Sequence, residues 1–498
     1  MSFNSFIDIG AWQHVEESRT TPIEEMQVWD GVSDSRIHFS GRKSTETNVT
    51  EMARLTENLN LQRALLRQID NSATSGILTL MDETKVQSIN SDGESGHSPQ
   101  GPHNTGWPLL QLSNSRSIRA RLLVGADGPS SPVRAYSKID SFGWSYNMRA
   151  VVATLQHEAP LNSFGLQRTH TTAYQRFLPT GPVAFLPLSP TRASLVWSTT
   201  PELAQALVES GGKVLARLIN AAFRLPDLSM KYLHTFLLDK WQESKRSPKD
   251  SAWVTEEEIV EEIRWRERSH SIDAGSPLSS ISMSDELSIP SPDADMYPPL
   301  IHSVQPRSAA SFPLRMNHAD TYLGSRTALV GDAAHTVHPL AGQGLNLGIA
   351  DAQSLAQTIQ SASDLGLDVG SPTALQAYPR ERYLANHAML SGVDKLAKLY
   401  GTSFGPVVWM RSVGLDVVNE WDGLKDMFMG VAGAGDKGLQ TDLIRRGETK
   451  QFRSVGAQEG DRQSSHWPNI LATAVEGIGD AFDGARTLLG AGMRNGRR

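Results

Sequence analysis

Leu329-Val330-Gly331-Asp332-Ala333-Ala334-His335 leads, two residues on, into His338-Pro339-Leu340-Ala341-Gly342-Gln343-Gly344-Leu345-Asn346-Leu347-Gly348, with Asp351 on the next helical turn. The apolar run ending in Gly331-Asp332 reads as a buried strand whose tip carries a carboxylate. The Gly-rich loop after it reads as the opening of a helix of small residues. A carboxylate accepts strongly from hydroxyls, glycine allows close backbone approach, and the first amides of a helix favour negative charge. Gly331 and Asp332 would serve the first two needs. Gly342, Gly344, Leu345 and Asn346 would offer the amides, with Pro339 stiffening the entry and Gln343 inside the loop.

A flavin asks for this combination, because its ribityl chain carries hydroxyl donors and negative charge grows near N1 and the C2 oxygen on reduction. Each part alone has a plainer explanation as a turn or a helix start. His335 and His338 with Asp332 also have metal-donor chemistry, but no third His or catalytic Glu stands at ligand spacing, so no metal is expected.

Composition sets limits around this reading. The chain has 498 residues, 39% hydrophobic content and a net charge of −7, with mean hydropathy −0.32 and pI about 6.1. That suits globular domains, and no global basic field favours nucleic acid. The absence of cysteine excludes disulfides, thiolate metal sites and Cys nucleophiles, so redox chemistry must come from a cofactor. No apolar run approaches the roughly 18 residues of a spanning helix. Met1 to Trp12 has neither a secretory core nor an Arg-rich presequence character.

Along the chain, Phe3 to Val15 resembles the tail of a helix, and Met26–Asp30 and Arg36–Phe39 alternate as short strands. Leu55 to Ile69 keeps helical spacing, Ile77 to Ile89 has strand character, and Ser91 to Gly106 reads as an exposed loop. Ile118 to Val124 leads as a strand into Gly125-Ala126-Asp127-Gly128. Strands are expected again at Ala150–Leu155, Val183–Leu188 and Ser194–Ser198. The charged run Glu256 to Arg268 and the Ser/Pro-rich tract after it are expected to be solvated. Ala374 to Tyr400 reads as helix, and so does a stripe from Leu471 to Leu489, packed on protein or on a partner.

The run from His338 to Asp351 resembles, position by position, the signature of the ubiquinone biosynthesis hydroxylases, class A flavin monooxygenases with a fold like 4-hydroxybenzoate hydroxylase. Gly125 to Gly128, with Ser131 and Arg134, resembles that family's second motif, which implies that Asp127, Gly128 and Arg134 lie near the cofactor pyrophosphates. The segments Gln175–Pro182, Leu186–Leu188, Leu195–Thr199, Val151–Leu155, Gly10–Trp12 and Met26–Asp30 resemble the mitochondrial eukaryotic branch. The resemblance spans about Ser5 to about Gly430. It implies an α/β fold, in which a parallel-sheet FAD-binding domain interleaves with a β-rich substrate domain and C-terminal helices follow. The corresponding boundaries are 1–50 for substrate-sheet strands, 51–140 and 306–360 for the FAD-binding parts, and 141–242 for the β-rich domain. A 243–305 insertion, 361–432 helices and a 433–498 tail complete the division.

The implied reaction is C5-hydroxylation of a polyprenylated 4-hydroxybenzoate by FAD and O₂ through a flavin C4a-hydroperoxide, with no obligatory side-chain acid or base. The implied electron donor is ferredoxin with its reductase, or NAD(P)H. The implied setting is peripheral, on the matrix side of the mitochondrial inner membrane, in a complex with other ubiquinone-synthesis proteins. Phe177, Phe185 and Trp197 read as sheet core, and Glu381 and Arg382, after Tyr378, as a structural ion pair.

The departure is at the start. Relatives open with a βαβ unit carrying Gly-x-Gly-x-x-Gly for the FAD pyrophosphate, and Ser5 already corresponds to a point beyond it. The Gly-x-Gly-x-x-Gly at Gly433–Gly438 reads as a flexible loop. The expectation is an incomplete product that folds and binds FAD poorly. A non-catalytic truncated paralogue acting in assembly, and another FAD aromatic or polyprenyl oxygenase, are the alternatives.

Overall fold

In the computed structural model, residues 2–40, 51–71, 76–91, 106–159, 171–247, 252–273, 276–281, 296–339, 342–401 and 408 are described. Helix α1 (Ser2–Asp8) precedes strands β1 (Thr20–Ile23), β2 (Glu25–Asp30), β3 (Arg36–Ser40) and β4 (Ala53–Thr56), then α2 (Asn58–Ile69). Leu55, expected to open α2, instead lies in β4 opposite Thr21. The strand expected over Ile77–Ile89 is confined to β5 (Val86–Ser91), which pairs with β6 (Pro108–Leu112). The single strand expected over Ile118–Val124 is two, β7 (Ser117–Arg119) and β8 (Leu123–Gly125), in different sheets. The chain leaves the first sheet where Ala120 N donates to Pro108 O.

After α3 (Pro132–Tyr136) come β9 (Ser141–His157), β10 (Thr172–Leu178), β11 (Gly181–Ser189) and β12 (Arg192–Thr199). Four helices follow, α4 (Pro201–Glu209), α5 (Gly212–Arg224), α6 (Asp227–Arg246) and α7 (Glu256–Ser269). Then come β13 (Ile301–Val304), β14 (Ala310–Ala319), β15 (Leu323–Gly324), β16 (Thr327–Leu329) and β17 (His335–Thr336), before α8 (Gly344–Asp364) and α9 (Ala377–Tyr400). The large sheet runs β17-β14-β9-β12-β11-β10-β2-β3, with β13 also on β9. Strand alternation sends Val151, Ala153, Leu155, Leu195 and Trp197 to one side, where they pack with α4, α5 and α6 into the main core.

Those helices were not legible from composition, since a β-rich segment was expected throughout. α5 is enclosed even though Lys213, Arg217, Asn220 and Arg224 share one stripe, since from Val214 to Arg224 every residue but Arg217 is buried. The charged run is corrected too. Glu256–Ser269 is a helix started by a capping box between Thr255 and Glu258, and Ile259 and Ile263 at i, i+4 spacing sink into the main core. Glu267 continues that stripe and is itself buried, accepting from Ser280 N, while the other Glu and Arg residues occupy the remaining faces, so charge density concealed a two-residue apolar stripe.

A second core joins β8, β15, β16, α3, α8 and α9 through Val133, Tyr322, Leu329, Leu355 and Tyr378. Here β8 and β16 pair in parallel, Gly125 opposite Leu329, and Val330 N donates to Gly125 O at 3.0 Å. The two glycine motifs, about two hundred residues apart, thus end side by side. The loop at 92–105, the Ser/Pro-rich tract at 282–295, Gly433–Gly438 and the stripe from Leu471 to Leu489 lie outside the described residues. Among the described residues no helix is long and apolar enough to cross a membrane.

Candidate functional site

β16 ends at Leu329, and the chain turns sharply through Gly331–Ala333. Gly331 has φ +59°, the left-handed region that glycine enters without penalty. A Cβ on Gly348, in the first turns of α8, would lie 3.4 Å from the Gly331 Cα. The absence of both side chains lets the helix start close against the turn. Asp332 is exposed, and no partner for its carboxylate exists among the described residues. Local desolvation raises its pKa, with nearby His335 opposing. It is a carboxylate held ready on a rigid tip.

The loop from Pro339 closes with Gly342 N donating to Pro339 O at 3.1 Å, and Gly342 also has positive φ, with no atom within 4 Å of the position a Cβ would take. Gln343 precedes the first residue of α8, its carbonyl accepting from Leu347 N at 2.9 Å. The amides of Gly344, Leu345 and Asn346 therefore stand in the first turn, where no intrahelical acceptor reaches them. Leu345 and Asn346 are exposed.

Asp127 and Arg134 are each engaged by the backbone around them. Asp127 accepts from Val133 N at 3.0 Å and Ser131 Oγ from Arg134 N at 2.9 Å, so both cap α3. The Arg134 guanidinium donates to Ala333 O and Pro129 O, each at 2.7 Å. It clamps one glycine motif to the other. Gly128, with φ +84°, borders open space.

Beneath the turn lies a polar cluster that sequence reasoning assembled only in part. Asp351 is completely buried. Its Oδ2 accepts from Gly331 N at 3.1 Å and His335 Nε2 at 2.6 Å. Its Oδ1 accepts from Arg382 Nε at 3.1 Å and Asn386 Nδ2 at 3.0 Å. Burial alone would raise the Asp351 pKa, but His335, Asn386 and Arg382 together hold it below the usual value. Arg382 thus has its ion pair with Asp351, whereas Glu381 accepts from Ser354 Oγ at 2.6 Å. Asn386 also donates to the Tyr322 hydroxyl, which lies 2.7 Å from His318 Nε2. The available signal was that Arg382 and Asn386 fall at i, i+4 on the same stripe as Tyr378 and Leu390, the buried face of α9.

His335 is committed to Asp351, and His338 meets the Tyr146 ring edge-on at 4.9 Å. Among the described residues no group of three His, Cys, Asp or Glu side chains is placed to hold a metal.

Phe185 and Trp197 lie in the main core, and Phe177 stacks on Tyr400 at 3.9 Å. The sheet face opposite the helices is the more informative one. Cross-strand register aligns Val28, Gln175, Ala184, Val196 and Val152 in one row. Apart from Gln175 these are only half-buried, as are Met26, Phe39 and Leu186, and Phe312 is 42% exposed. β9 carries this face to His338, at the entry of the Gly-rich loop, since its Tyr146 contacts His338 and donates to Asp394 of α9 at 2.9 Å.

Comparison with known proteins gives three consistent findings. The family model described as "FAD binding domain" matches residues 2–246 and 294–392. The chain is 36% identical over 434 residues to the Saccharomyces cerevisiae protein named ubiquinone biosynthesis monooxygenase COQ6, mitochondrial, covering 87% of this chain and 81% of that one. It is 33% identical to the Homo sapiens protein of the same name, covering 85% and 78%. Among solved structures, p-nitrophenol 4-monooxygenase PnpA from Pseudomonas putida has a TM-score of 0.53 at 14% identity, covering 86% of each chain. The probable FAD-dependent monooxygenase pqsL from Pseudomonas aeruginosa has a TM-score of 0.51 at 20% identity, over 84% of this chain and 87% of that one. The two structures share the fold.

Proposed function

The chain belongs to the ubiquinone biosynthesis monooxygenases of the FAD-binding-domain family, and on that premise we propose that it hydroxylates C5 of a polyprenylated 4-hydroxybenzoate with one atom of O₂. The observation that carries this reading is the pairing of an unpartnered Asp332 and the first-turn amides of α8 with a half-exposed apolar sheet face. The residues fit FAD: the glycines leave room, the carboxylate suits ribityl hydroxyls, and the amides suit a ring that becomes anionic. Asp332 would accept from the ribityl chain, and Gly344, Leu345 and Asn346 would donate toward N1 and the C2 oxygen. Gly128 would leave space for the pyrophosphate while Asp127 and Arg134 fix the backbone around it. When bound, FAD supplies activated oxygen that an electron-rich phenolic ring can attack.

The protein's own part is orientation, exclusion of water and charge stabilisation. The row through Val28, Ala184, Val196 and Val152 supplies apolar contact for a prenyl chain and offers no acid or base. Ferredoxin with its reductase, or NAD(P)H, would deliver the electrons. We place the activity in mitochondria, peripherally on the matrix side of the inner membrane, beside other ubiquinone-synthesis proteins. The test is expression in yeast lacking its own ubiquinone biosynthesis monooxygenase. Restored ubiquinone with the wild-type chain, and failure with Asp332→Ala at equal abundance, is expected. Equal restoration by both would remove Asp332 from the site, and restoration by neither would remove the activity.

A further inference from the structure

One polar side chain interrupts the apolar row on the sheet face opposite the helices. Gln175 lies in β10 between Val28 of β2 and Ala184 of β11, each directly in register with it. Strand alternation fixes its side. Tyr174 and Leu178 enter the main core, whereas Phe177, two residues on from Gln175, stacks on Tyr400 across the other face. Gln175 therefore shares the face of Phe177, Val28 and Ala184.

This glutamine is only 7% exposed. Its side-chain amide makes no hydrogen bond among the described residues, and yet neither its oxygen nor its nitrogen is sealed from solvent. Ala173 and Ala184, beside it on the same face, are too short to cover it. An amide held in an apolar wall without a partner costs stability, and a ligand that supplies the partner relieves that cost.

We propose that Gln175 reads the ring hydroxyl of the substrate, its amide pairing with the 4-hydroxyl of the prenylated hydroxybenzoate while the row takes the first carbons of the prenyl chain. This role rests on the hydroxylase reading above and adds a determinant of specificity to it. The chemistry of the substrate picks the hydroxyl. Prenyl group and hydroxyl stand on adjacent ring carbons, so a chain laid along Val28, Ala184 and Val196 brings the hydroxyl to the polar member of the row. The carboxylate is para to that hydroxyl and lies across the ring. The amide serves both forms of the group, its oxygen accepting from a phenol and its nitrogen donating to a phenolate. An analogue without the hydroxyl leaves the amide unpaired, which is the source of discrimination.

The test measures equilibrium binding to the full chain by calorimetry with three probes. These are 3-geranyl-4-hydroxybenzoate, 3-geranylbenzoate, which lacks the hydroxyl, and 2-geranylphenol, which lacks the carboxylate. The wild-type chain should bind 3-geranyl-4-hydroxybenzoate at least about tenfold more tightly than 3-geranylbenzoate. In Gln175→Met that preference should shrink to within about twofold, because the two hydroxyl-bearing probes weaken by the same factor and 3-geranylbenzoate binds as before or more tightly. A packing role alone would weaken all three together, so equal losses would overturn this role. Selective weakening of the two carboxylate probes would overturn it too, by giving Gln175 to the other end of the ring. Equal wild-type binding of 3-geranyl-4-hydroxybenzoate and 3-geranylbenzoate would do the same, and it needs no variant, which keeps the test open if Gln175→Met does not fold. No arm uses FAD or O₂. A missing hydroxyl preference therefore counts against Gln175 alone, whereas missing hydroxylation by the wild-type chain counts against the activity.

Discussion

Replacing Asp351 by Asn should unfasten the Gly331 turn from beneath. The wild-type carboxylate is completely buried and accepts four hydrogen bonds, two on each oxygen. An amide of the same shape can accept on one side only. Whichever way it turns, its NH₂ faces two donors, and Arg382 loses its buried counter-charge. Removing one partner of a buried pair costs roughly 3–5 kcal/mol, a large share of the roughly 5–15 kcal/mol that holds a domain together. Urea unfolding should register that loss in the midpoint, and amide exchange should quicken at Gly331 if the NH₂ replaces Oδ2. Glu381→Gln is the control, because that carboxylate accepts from Ser354 and, among the described residues, has no hydrogen bond to Asp351, His335 or Asn386, and it should cost less than about 1 kcal/mol. A change below about 1 kcal/mol for Asp351→Asn would refute the claim that this network carries the cradle. The sign with pH is fixed: a carboxylate with lowered folded pKa gives stability that is complete above its ordinary value near 3.8 and vanishes only as pH falls through the folded pKa.

Asp332→Ala removes an exposed carboxylate that has no hydrogen-bond partner among the described residues, so apo stability should stay within about 0.5 kcal/mol, while FAD affinity, read by flavin fluorescence, falls about ten- to a hundredfold. Burial lowers the pKa of His234, His318 and His338 to about 4. The unfolded chain therefore takes up protons the folded one refuses, and stability is lost from about pH 6.5 downward at roughly 1.4 kcal/mol per histidine per pH unit. His234→Leu should remove one histidine's share of that slope in urea midpoints taken at pH 7, 6 and 5.5. Thr255→Ala breaks the capping box of α7 and should cost about 1 kcal/mol in thermal unfolding; no effect would return that charged segment to the solvent.

Legibility followed the range of the interactions. The strand, tight turn and helix start were readable because they are contiguous, so the turn at Gly331 and the start of α8 at Gly344 announce themselves through local chemistry. The contact that Arg134 makes was not, because its guanidinium reaches a carbonyl 199 residues away. The partners of Asp351 were missed for the same reason, apart from the expectation that Arg382 forms an ion pair. The strands of the large sheet were found where apolar residues alternate, as in β9, β11 and β12. Helices α5 and α7 escaped for different reasons: α5 lies in a segment read as β-rich throughout, and α7 is so charged that Ile259 and Ile263 are the only apolar residues on a buried edge that Glu267 completes.

The most direct measurement supplies the purified chain with FAD, a chemical reductant, ¹⁸O₂ and 3-polyprenyl-4-hydroxybenzoate, and examines the product by mass spectrometry. One ¹⁸O atom on the ring at C5, lost in Asp332→Ala, is the predicted result. Unlabelled or unhydroxylated substrate, with the label found only in hydrogen peroxide, would contradict the account.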